Sequence, residues 1–294
     1  MKLLTGSGGF IASNLEADLK LTRNDCDLTN YESVMSVLND TLPDTVIHCA
    51  AKHGSAVEMM NNHSEYINNN ILSDLNIIKA CKETGVRNLL MLSTITSFDP
   101  STPSPFTEES INGNINEKIF GYAYSKKICV GLCKAYQMDY GLNYKSTFLG
   151  NTYGPFGLFN DNATVIHNLI YKFVKAKKEG TDVNLYGDGK AIRNYIYVKD
   201  LNPIFNKIIN DKSIKEPLIV SSEFSCSILD LVEIIKLNLS FQGKVFFDSN
   251  ISHGEQIKIV DIKKLKDFLG DFNFTTIENG IRETIKWYLK KYNL

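Results

Sequence analysis

Thr5-Gly6-Ser7-Gly8-Gly9-Phe10-Ile11-Ala12 is the stretch that decides the fold, because it joins a short apolar run to a helical pattern. Its glycines let the backbone turn sharply. They also let a pyrophosphate approach the N-terminus of the next helix, where free N–H groups favour negative charge. The strict Gly-x-Gly-x-x-Gly spacing fails, but Gly-x-x-Gly-x-x-Ala holds with Gly6, Gly9 and Ala12. A strand, glycine turn and helix in this order predict a dinucleotide site.

Outward from the turn, apolar strand patterns alternate with helical ones. We expect strands at 19–23, 44–51, 87–93 and 143–149, and helices at 13–19, 31–38, 64–84 and after Tyr122. Such alternation without hairpin signals predicts an α/β fold, a Rossmann doubly wound parallel sheet. Beyond residue 155 the alternation breaks, with helices expected at 163–178, 201–210, 228–237 and 276–292 and a strand at 194–198.

This pattern predicts two domains. We expect residues 1–155 to form a dinucleotide-binding Rossmann domain, with 191–213 packing back onto it, and residues 156–294 to form a smaller C-terminal α/β substrate lobe. The chain of 294 residues has 43% hydrophobic residues and a net charge of −1, typical of a globular protein without a nucleic-acid or membrane surface. The first four residues run straight into the glycine turn, so we expect no signal peptide and a cytoplasmic location. The six cysteines are scattered, which predicts free thiols.

Gly121-Tyr122-Ala123-Tyr124-Ser125-Lys126 places a phenol and an ammonium four residues apart, on one face of a helix. A free phenol has a pKa of ~10, and a nearby cation stabilises the phenolate, which lowers that value. Tyr122 and Lys126 are therefore candidates for proton transfer. At the end of the second strand, Arg23 suits a ribose 2′-phosphate, whereas a carboxylate would bind the free hydroxyls. Arg23 thus favours NADP(H) over NAD(H).

Further motifs follow in a fixed order: His48-Cys49-Ala50-Ala51, Thr94, Asn151-x-Tyr153-Gly154-Pro155, Gly187-Asp188-Gly189 with Arg193, and Tyr197-Val198-x-Asp200-Leu201. With the glycine turn and Tyr122-x-x-x-Lys126, the chain resembles the extended short-chain dehydrogenase/reductases of nucleotide sugars, the NAD-dependent epimerase/dehydratases. The resemblance covers essentially the whole length. Within that family it is most similar to the GDP-fucose synthases, which are 3,5-epimerase/4-reductases.

The resemblance implies that Tyr122 donates a proton, that Lys126 lowers its pKa and binds the nicotinamide ribose, and that Thr94 contacts the reacting oxygen. It implies a cofactor site of Gly6, Gly8, Gly9, Phe10, Ile11, Arg23, Asp27, Leu28, Ala50, Ala51, Lys52, Asn70, Ser93, Tyr122 and Lys126. It implies a substrate site of Thr94, Thr96, Asn151, Thr164, Val165, Lys172, Tyr186 and Arg193. A homodimer through the Tyr122 helix is usual in this family.

Several positions depart from the family pattern. The first helix and second strand are short, Ile257 stands where many relatives have arginine, and Thr94 is followed by Ile95-Thr96, which argues against a 4,6-dehydratase. Family members that epimerise C3 and C5 use a cysteine and a histidine, and these positions are Thr96 and Thr164 here. His167, three residues on, is a possible substitute. His48, His53 and His63 lack metal-ligand spacing, so no metal site is predicted.

We therefore expect NADPH-dependent reduction of the 4-keto group of a nucleotide-linked sugar, with GDP favoured, without 3,5-epimerisation. The alternatives are an NAD-dependent 4-epimerase, a reductase of the CDP-dideoxyhexose type, and a catalytically silent dinucleotide-binding sensor or scaffold. An intact set of Thr94, Tyr122 and Lys126 argues against the silent protein.

Overall fold

The computed structural model describes residues 1–249 and 256–294. Its strands are β1 (Lys2–Thr5), β2 (Leu19–Leu21), β3 (Thr45–His48), β4 (Asn88–Thr94), β5 (Asn143–Leu149), β6 (Asn151–Tyr153), β7 (Val183–Tyr186), β8 (Ile192–Tyr197), β9 (Leu218–Val220), β10 (Ser225–Ser227), β11 (Val245–Asp248) and β12 (Ile257–Lys258). Its helices are α1 (Phe10–Ser13), α2 (Tyr31–Thr41), α3 (Ala56–Asn61), α4 (His63–Glu83), α5 (Phe120–Tyr140), α6 (Val165–Glu179), α7 (Leu201–Asn210), α8 (Ile228–Leu239), α9 (Lys263–Leu269) and α10 (Ile277–Tyr292).

The central sheet has six strands in the order β2-β1-β3-β4-β5-β9, all paired in parallel. Strand order reverses between β1 and β3, and in such sheets ligands bind outside the carboxyl ends of the strands at this switch point. The glycine turn follows β1 and Cys49-Ala50-Ala51 follows β3, so both lie there. The predicted α/β doubly wound fold is confirmed.

Neighbouring residues of the strands face opposite sides of this sheet, because side chains alternate along a strand. Leu3, Val46 and Leu89 belong to one buried cluster with residues of α2, α4 and α5. Leu4, Ile47 and Leu90 belong to another, with residues of α7 and α9. Helices therefore cover both faces, which explains why the strands read as continuous apolar runs.

The second lobe is built around β8, which pairs with β6 and β12 in parallel and with β10 antiparallel. A separate two-stranded sheet pairs β7 with β11. A third buried cluster joins α6, α8 and α10, with Phe173, Leu231 and Ile281 among its members. The domain boundary near residue 155 stays a prediction. The chain returns to the first sheet beyond residue 213, because β9 pairs with β5.

The expected helix at 13–19 is wrong, because α1 spans only Phe10–Ser13. The Asn14 side chain ends it, donating from Nδ2 to the carbonyls of Phe10 and Pro155, 2.9 Å each. The strand β2, which pairs in parallel with β1, then spans Leu19–Leu21. It is two residues shorter than the strand predicted at 19–23. By contrast, β5 and α7 have the predicted bounds. In the described part of the chain, no helix is both long and apolar enough to cross a bilayer.

Candidate active site

The glycine turn holds the backbone in a shape that side chains disfavour. Gly6 has φ of +71°, and a Cβ built there would lie 2.7 Å from Ala50 Cα. The end of β1 and the end of β3 can therefore approach only because Gly6 has no side chain. Gly9 closes the turn by donating its N–H to the Gly6 carbonyl, 2.8 Å away, and becomes the N-cap of α1. A Cβ on Gly8 would meet open space.

A cavity of about 350 Å³ lies over this turn. The predicted cofactor residues that line it are Gly6, Gly8, Gly9, Arg23, Asp27, Leu28, Ala50, Ala51, Lys52 and Asn70. The lining residues that the sequence did not indicate are Thr5, Leu21, Thr22, Cys26, Thr29, Cys49, Asn69 and Ser73. Ser73 lies three residues after Asn70 on α4, so helical spacing could have identified it.

The lining suits a polar dinucleotide. The backbone of the glycine turn is bare toward the cavity, and Ser73 Oγ is buried with no hydrogen-bond partner among the described residues. Arg23, which follows β2, also lines the cavity and is exposed. Asp27 Oδ1 accepts hydrogen bonds from the Thr29 N–H and hydroxyl, which lower the pKa of that carboxyl, with a smaller contribution from Arg23. Arg23 is thus an exposed cation in the lining of this cavity, at the position where the prediction places the 2′-phosphate.

Phe10, Ile11, Ser93, Tyr122 and Lys126 were also predicted to bind the cofactor but do not line this cavity. Phe10 and Ile11 pack against the apolar core. Ser93 Oγ donates to the Lys126 carbonyl at 2.8 Å, which fastens β4 to α5. Asn70 lines the cavity, but its amide is used by protein: Oδ1 accepts the Lys52 N–H at 2.7 Å and Nδ2 donates to Ser125 Oγ at 3.3 Å. Ser93 and Asn70 therefore fix the elements that carry the catalytic candidates.

Tyr122 and Lys126 lie one turn apart near the start of α5, and both are buried. Burial raises the pKa of Tyr122, and the Lys126 charge opposes this by stabilising the phenolate. Lys126 thus lowers the pKa of Tyr122, as predicted, but burial raises that pKa by more. Two rings contact Tyr122 edge-on: His53 with centroids 5.3 Å apart and Tyr66 at 6.4 Å. His53 was not predicted, although it lies two residues after Ala51 at the end of the small-residue loop that follows β3.

Thr94 is the last residue of β4, and its hydroxyl is shared with the next turn. Thr94 Oγ1 accepts from the Thr96 N–H at 3.3 Å and from the Thr96 hydroxyl at 3.1 Å. Thr96 therefore points at Thr94, and both hydroxyls stand at the carboxyl end of β4. These two predicted substrate residues are brought together.

Thr164 and Val165 begin α6, with Thr164 as N-cap and Val165 exposed. Thr164 Oγ1 bonds His167 Nδ1 at 2.9 Å, and His167 Nε2 donates to the Gly154 carbonyl at 2.8 Å. The ring of His167 packs edge-on against Phe10 at 5.0 Å and Phe159 at 4.8 Å. Burial lowers the pKa of His167 to about 4. His167 is thus a neutral ring tied to protein partners at both nitrogens.

The remaining substrate candidates lie on the second lobe. Lys172 Nζ stands over the exposed ring of Tyr186, 5.2 Å from its centroid, so these two are brought together. Arg193 Nη1 donates to the Ile192 carbonyl at 2.7 Å. Asn151 Nδ2 donates to the Asn194 carbonyl at 2.9 Å, which ties β6 to β8. Among the described residues, no group of three or more histidine, cysteine or acidic side chains could hold a metal ion. All six cysteines are free, and five are buried.

Comparison with known proteins agrees with this geometry. The chain is 32% identical to the GDP-L-fucose synthase of Dictyostelium discoideum, over 99% of this chain and 95% of that protein. It is 28% identical to the GDP-L-colitose synthase of Yersinia pseudotuberculosis, over 99% and 98%. A GDP-L-fucose synthetase of Naegleria fowleri bound to NADP superposes with a TM-score of 0.91 at 25% identity, covering 99% of this chain and 94% of that one.

The model of the NAD dependent epimerase/dehydratase family matches residues 3–220. This match spans the glycine turn, the switch-point cavity, Tyr122 with Lys126, and the six strands of the central sheet. The chain belongs to the NAD dependent epimerase/dehydratase family and is an NAD(P)-dependent oxidoreductase.

Proposed function

We propose that this protein reduces the 4-keto group of a GDP-linked deoxy sugar with NADPH and does not epimerise C3 or C5. The observation that carries the proposal is the placement of Tyr122 and Lys126 on α5 with Thr94 and Thr96 at the carboxyl end of β4, in a fold whose glycine turn lines a cavity of about 350 Å³. The similarity to enzymes named for GDP-L-fucose and GDP-L-colitose supports GDP as the nucleotide.

Tyr122 is the proton donor in this proposal. When bound, NADPH supplies the hydride. As negative charge develops on the sugar's C4 oxygen, Tyr122 Oη gives it a proton, and Thr94 holds the same oxygen by a hydrogen bond. Because burial raises the pKa of Tyr122, the phenol is protonated at neutral pH, which is the form that reduction requires. Lys126 limits the cost of the phenolate that remains.

NADP(H) is the proposed cofactor. The glycine turn, Ala50 and Ala51 would hold the pyrophosphate, and Arg23 would pair with the 2′-phosphate. NADP is also what the similar Naegleria fowleri structure contains. On the second lobe, Lys172 and Arg193 offer cations for the GDP diphosphate, Tyr186 an exposed ring, and Asn151, Thr164 and Val165 a wall for the sugar.

Loss of epimerisation rests on Thr96, Thr164 and His167. A threonine hydroxyl is a far weaker acid or base near neutral pH than a thiol or an imidazole. His167 does not replace the missing histidine in this proposal, because one nitrogen donates to Gly154, the other bonds Thr164, and the ring is held between Phe10 and Phe159.

The test is incubation of the protein with NADPH and GDP-, CDP-, UDP- and dTDP-linked 4-keto-6-deoxy sugars, with products identified by NMR. We expect NADPH to be consumed stoichiometrically with the GDP-linked substrate and one 4-hydroxy product to form. Turnover with tightly retained NAD, without net NADPH consumption, would establish the 4-epimerase instead. Cofactor binding with no turnover on any substrate would establish the silent dinucleotide-binding protein.

We further propose a cytoplasmic homodimer formed through α4 and α5. Leu72 and Leu75 on α4 and Phe120 and Tyr124 on α5 are exposed apolar side chains, and Phe120 stacks on Tyr124. Replacing Leu72 and Leu75 by glutamate would place charge in the interface. Light scattering should then show a monomer, where the wild type has the mass of two chains; a monomeric wild type would contradict the proposal.

A further inference from the structure

Behind Lys126, on the side away from solvent, lies a buried carboxylate. Asp74 on α4 has its Oδ2 3.8 Å from Lys126 Nζ, and the two side chains are 1% and 4% exposed. This Oδ2 has no hydrogen-bond partner among the described residues. A buried carboxylate is costly unless a charge compensates it, and so is a buried ammonium. The two charges therefore depend on each other.

Asp74 is itself held from behind by two further buried side chains. His48 Nε2 lies 3.0 Å from Asp74 Oδ1, and His48 Nδ1 lies 2.8 Å from Thr5 Oγ1. A carboxylate only accepts hydrogen bonds, so the Nε2–H group of His48 donates a hydrogen bond to Asp74 Oδ1. In the neutral ring Nδ1 then accepts from the Thr5 hydroxyl. Each side chain in this row, which we call the Thr5–Lys126 row, fixes the orientation of the next.

The Thr5–Lys126 row crosses the switch point of the sheet. Thr5 is the last residue of β1, His48 the last of β3, and Asp74 and Lys126 belong to the packed helices α4 and α5. Thr5 lines the dinucleotide cavity, whereas His48 and Asp74 do not. The carboxylate of Asp74 faces Lys126 on one side and His48 on the other, so its effect on the reaction is expected to pass through Lys126.

We propose that Asp74, oriented by His48 and Thr5, is a positioning residue that keeps the Lys126 side chain charged and directed at Tyr122 and the cofactor. The proposal deepens the proposed function and rests on the role given there to Lys126. It assigns a purpose to two buried polar residues, His48 and Asp74, that the reaction chemistry does not otherwise use.

The electrostatics agree with this assignment. Burial disfavours the Lys126 ammonium, but Asp74, followed by Cys129, Tyr122 and Cys49, raises the pKa of Lys126 above its ordinary value. Removing the Asp74 charge takes away the largest favourable contribution, so the Lys126 pKa falls and the ammonium is lost at a lower pH. The other groups near Lys126 and Asp74 remain in such a variant; they are His48, His53, Cys49, Cys129, Cys133, Tyr66 and Tyr122.

The test is Asp74→Asn, which keeps an oxygen for His48, removes the charge and replaces the oxygen that faces Lys126 with an amide NH2. We expect kcat to fall about 10- to 100-fold, the scale of a charge-assisted contact, and its alkaline limb to move to lower pH. In a Lys126→Met background, Asp74→Asn should change kcat less than about 2-fold, because residues that act through one another are not additive. Glu83→Gln, at the far end of α4, is the matched control and should change neither quantity.

NADPH affinity against pH, read by cofactor fluorescence, tests the proposal without any sugar substrate. As the pH is raised, we expect Asp74→Asn to lose NADPH affinity at a lower pH than the wild type does. In a Lys126→Met background, Asp74→Asn should no longer change this pH. If Asp74→Asn does not fold, His48→Gln serves instead, with a smaller shift in the same direction. Equal pH dependence in wild type and variant, or full additivity with Lys126→Met, would overturn the proposal. Absence of turnover in the wild type would refute only the proposed function.

Discussion

Two buried histidines mark two regions of the molecule, and their surroundings differ in charge. His48 lies in the Thr5–Lys126 row, where its partner Asp74 faces an ammonium at 3.8 Å. His167 lies at the start of α6, where its nitrogens meet a threonine hydroxyl and a backbone carbonyl and its ring meets Phe10 and Phe159. The first region holds a charged pair, Asp74 and Lys126, beside Tyr122. In the second region, all the groups that contact His167 are neutral.

This difference separates the two kinds of proton transfer that a keto-sugar enzyme can perform. Proton donation at C4 needs an acid next to a cation, and the region around the start of α5 provides both, Tyr122 and Lys126. Removal of carbon-bound protons at C3 and C5 needs a free base, and in the α6 region the one imidazole is already used for packing. The comparison therefore supports the proposal of a reductase that does not epimerise its substrate, and this proposal can be tested in either region.

The largest expected effect comes from the α5 region. Tyr122→Phe keeps the ring against His53 and Tyr66 and removes only the hydroxyl. We expect turnover to fall at least ~10²-fold, the scale of general acid catalysis, with NADPH affinity little changed. Tyr136→Phe, on the same helix, is the control. Wild-type-like turnover in Tyr122→Phe would remove Tyr122 from the mechanism.

Since burial raises the Tyr122 pKa, wild-type reduction should persist up to pH ~10, where a free phenol would already ionise.

On the α6 side, His167 should affect stability rather than catalysis. Its pKa falls from 6.5 to about 4 on folding, so the unfolded chain binds more protons between these values. The stability that neutral His167 contributes is complete above pH 6.5 and is lost as pH falls towards 4, by roughly 3 kcal/mol. We expect the difference in unfolding free energy between wild type and His167→Gln to shrink by that amount between pH 7 and pH 4. A constant difference in denaturant titrations would contradict the neutral assignment.

Local spacing explains what the sequence predicted well. The glycine turn, Tyr122 with Lys126 and the strand β5 each depend on residues close together in the chain, whose periodicity is visible without a structure. The Thr5–Lys126 row was missed because it joins residues 5, 48, 74 and 126 from four elements, and only the sheet order brings them together. The helix expected at 13–19 failed because the Asn14 side chain ends α1 through contacts with Phe10 and the distant Pro155, and β2 then begins at Leu19.

A smaller effect is expected at the adenosine end of the cavity. If Arg23 pairs with a 2′-phosphate, NADPH should bind more tightly than NADH, by about 10- to 150-fold. Arg23→Ala should remove most of this preference, and Lys20→Ala, an exposed cation on β2, should retain it. Isothermal titration with both cofactors measures the ratio. Equal wild-type affinities would refute the NADP assignment.

The central claim is reduction without epimerisation. It predicts no enzyme-dependent exchange of the protons on C3 and C5, whereas an epimerase would exchange them rapidly. The measurement is incubation of the GDP-linked 4-keto-6-deoxy sugar in D₂O with the protein, with and without NADPH, followed by NMR of recovered substrate and product. A GDP-L-fucose synthase is the positive control, and an enzyme-free sample gives the background. We predict deuterium at C3 and C5 at the background rate, because Thr96, Thr164 and the tethered His167 provide no base. Incorporation at C3 or C5 faster than background would contradict the account, and its loss in His167→Gln would identify His167 as the base.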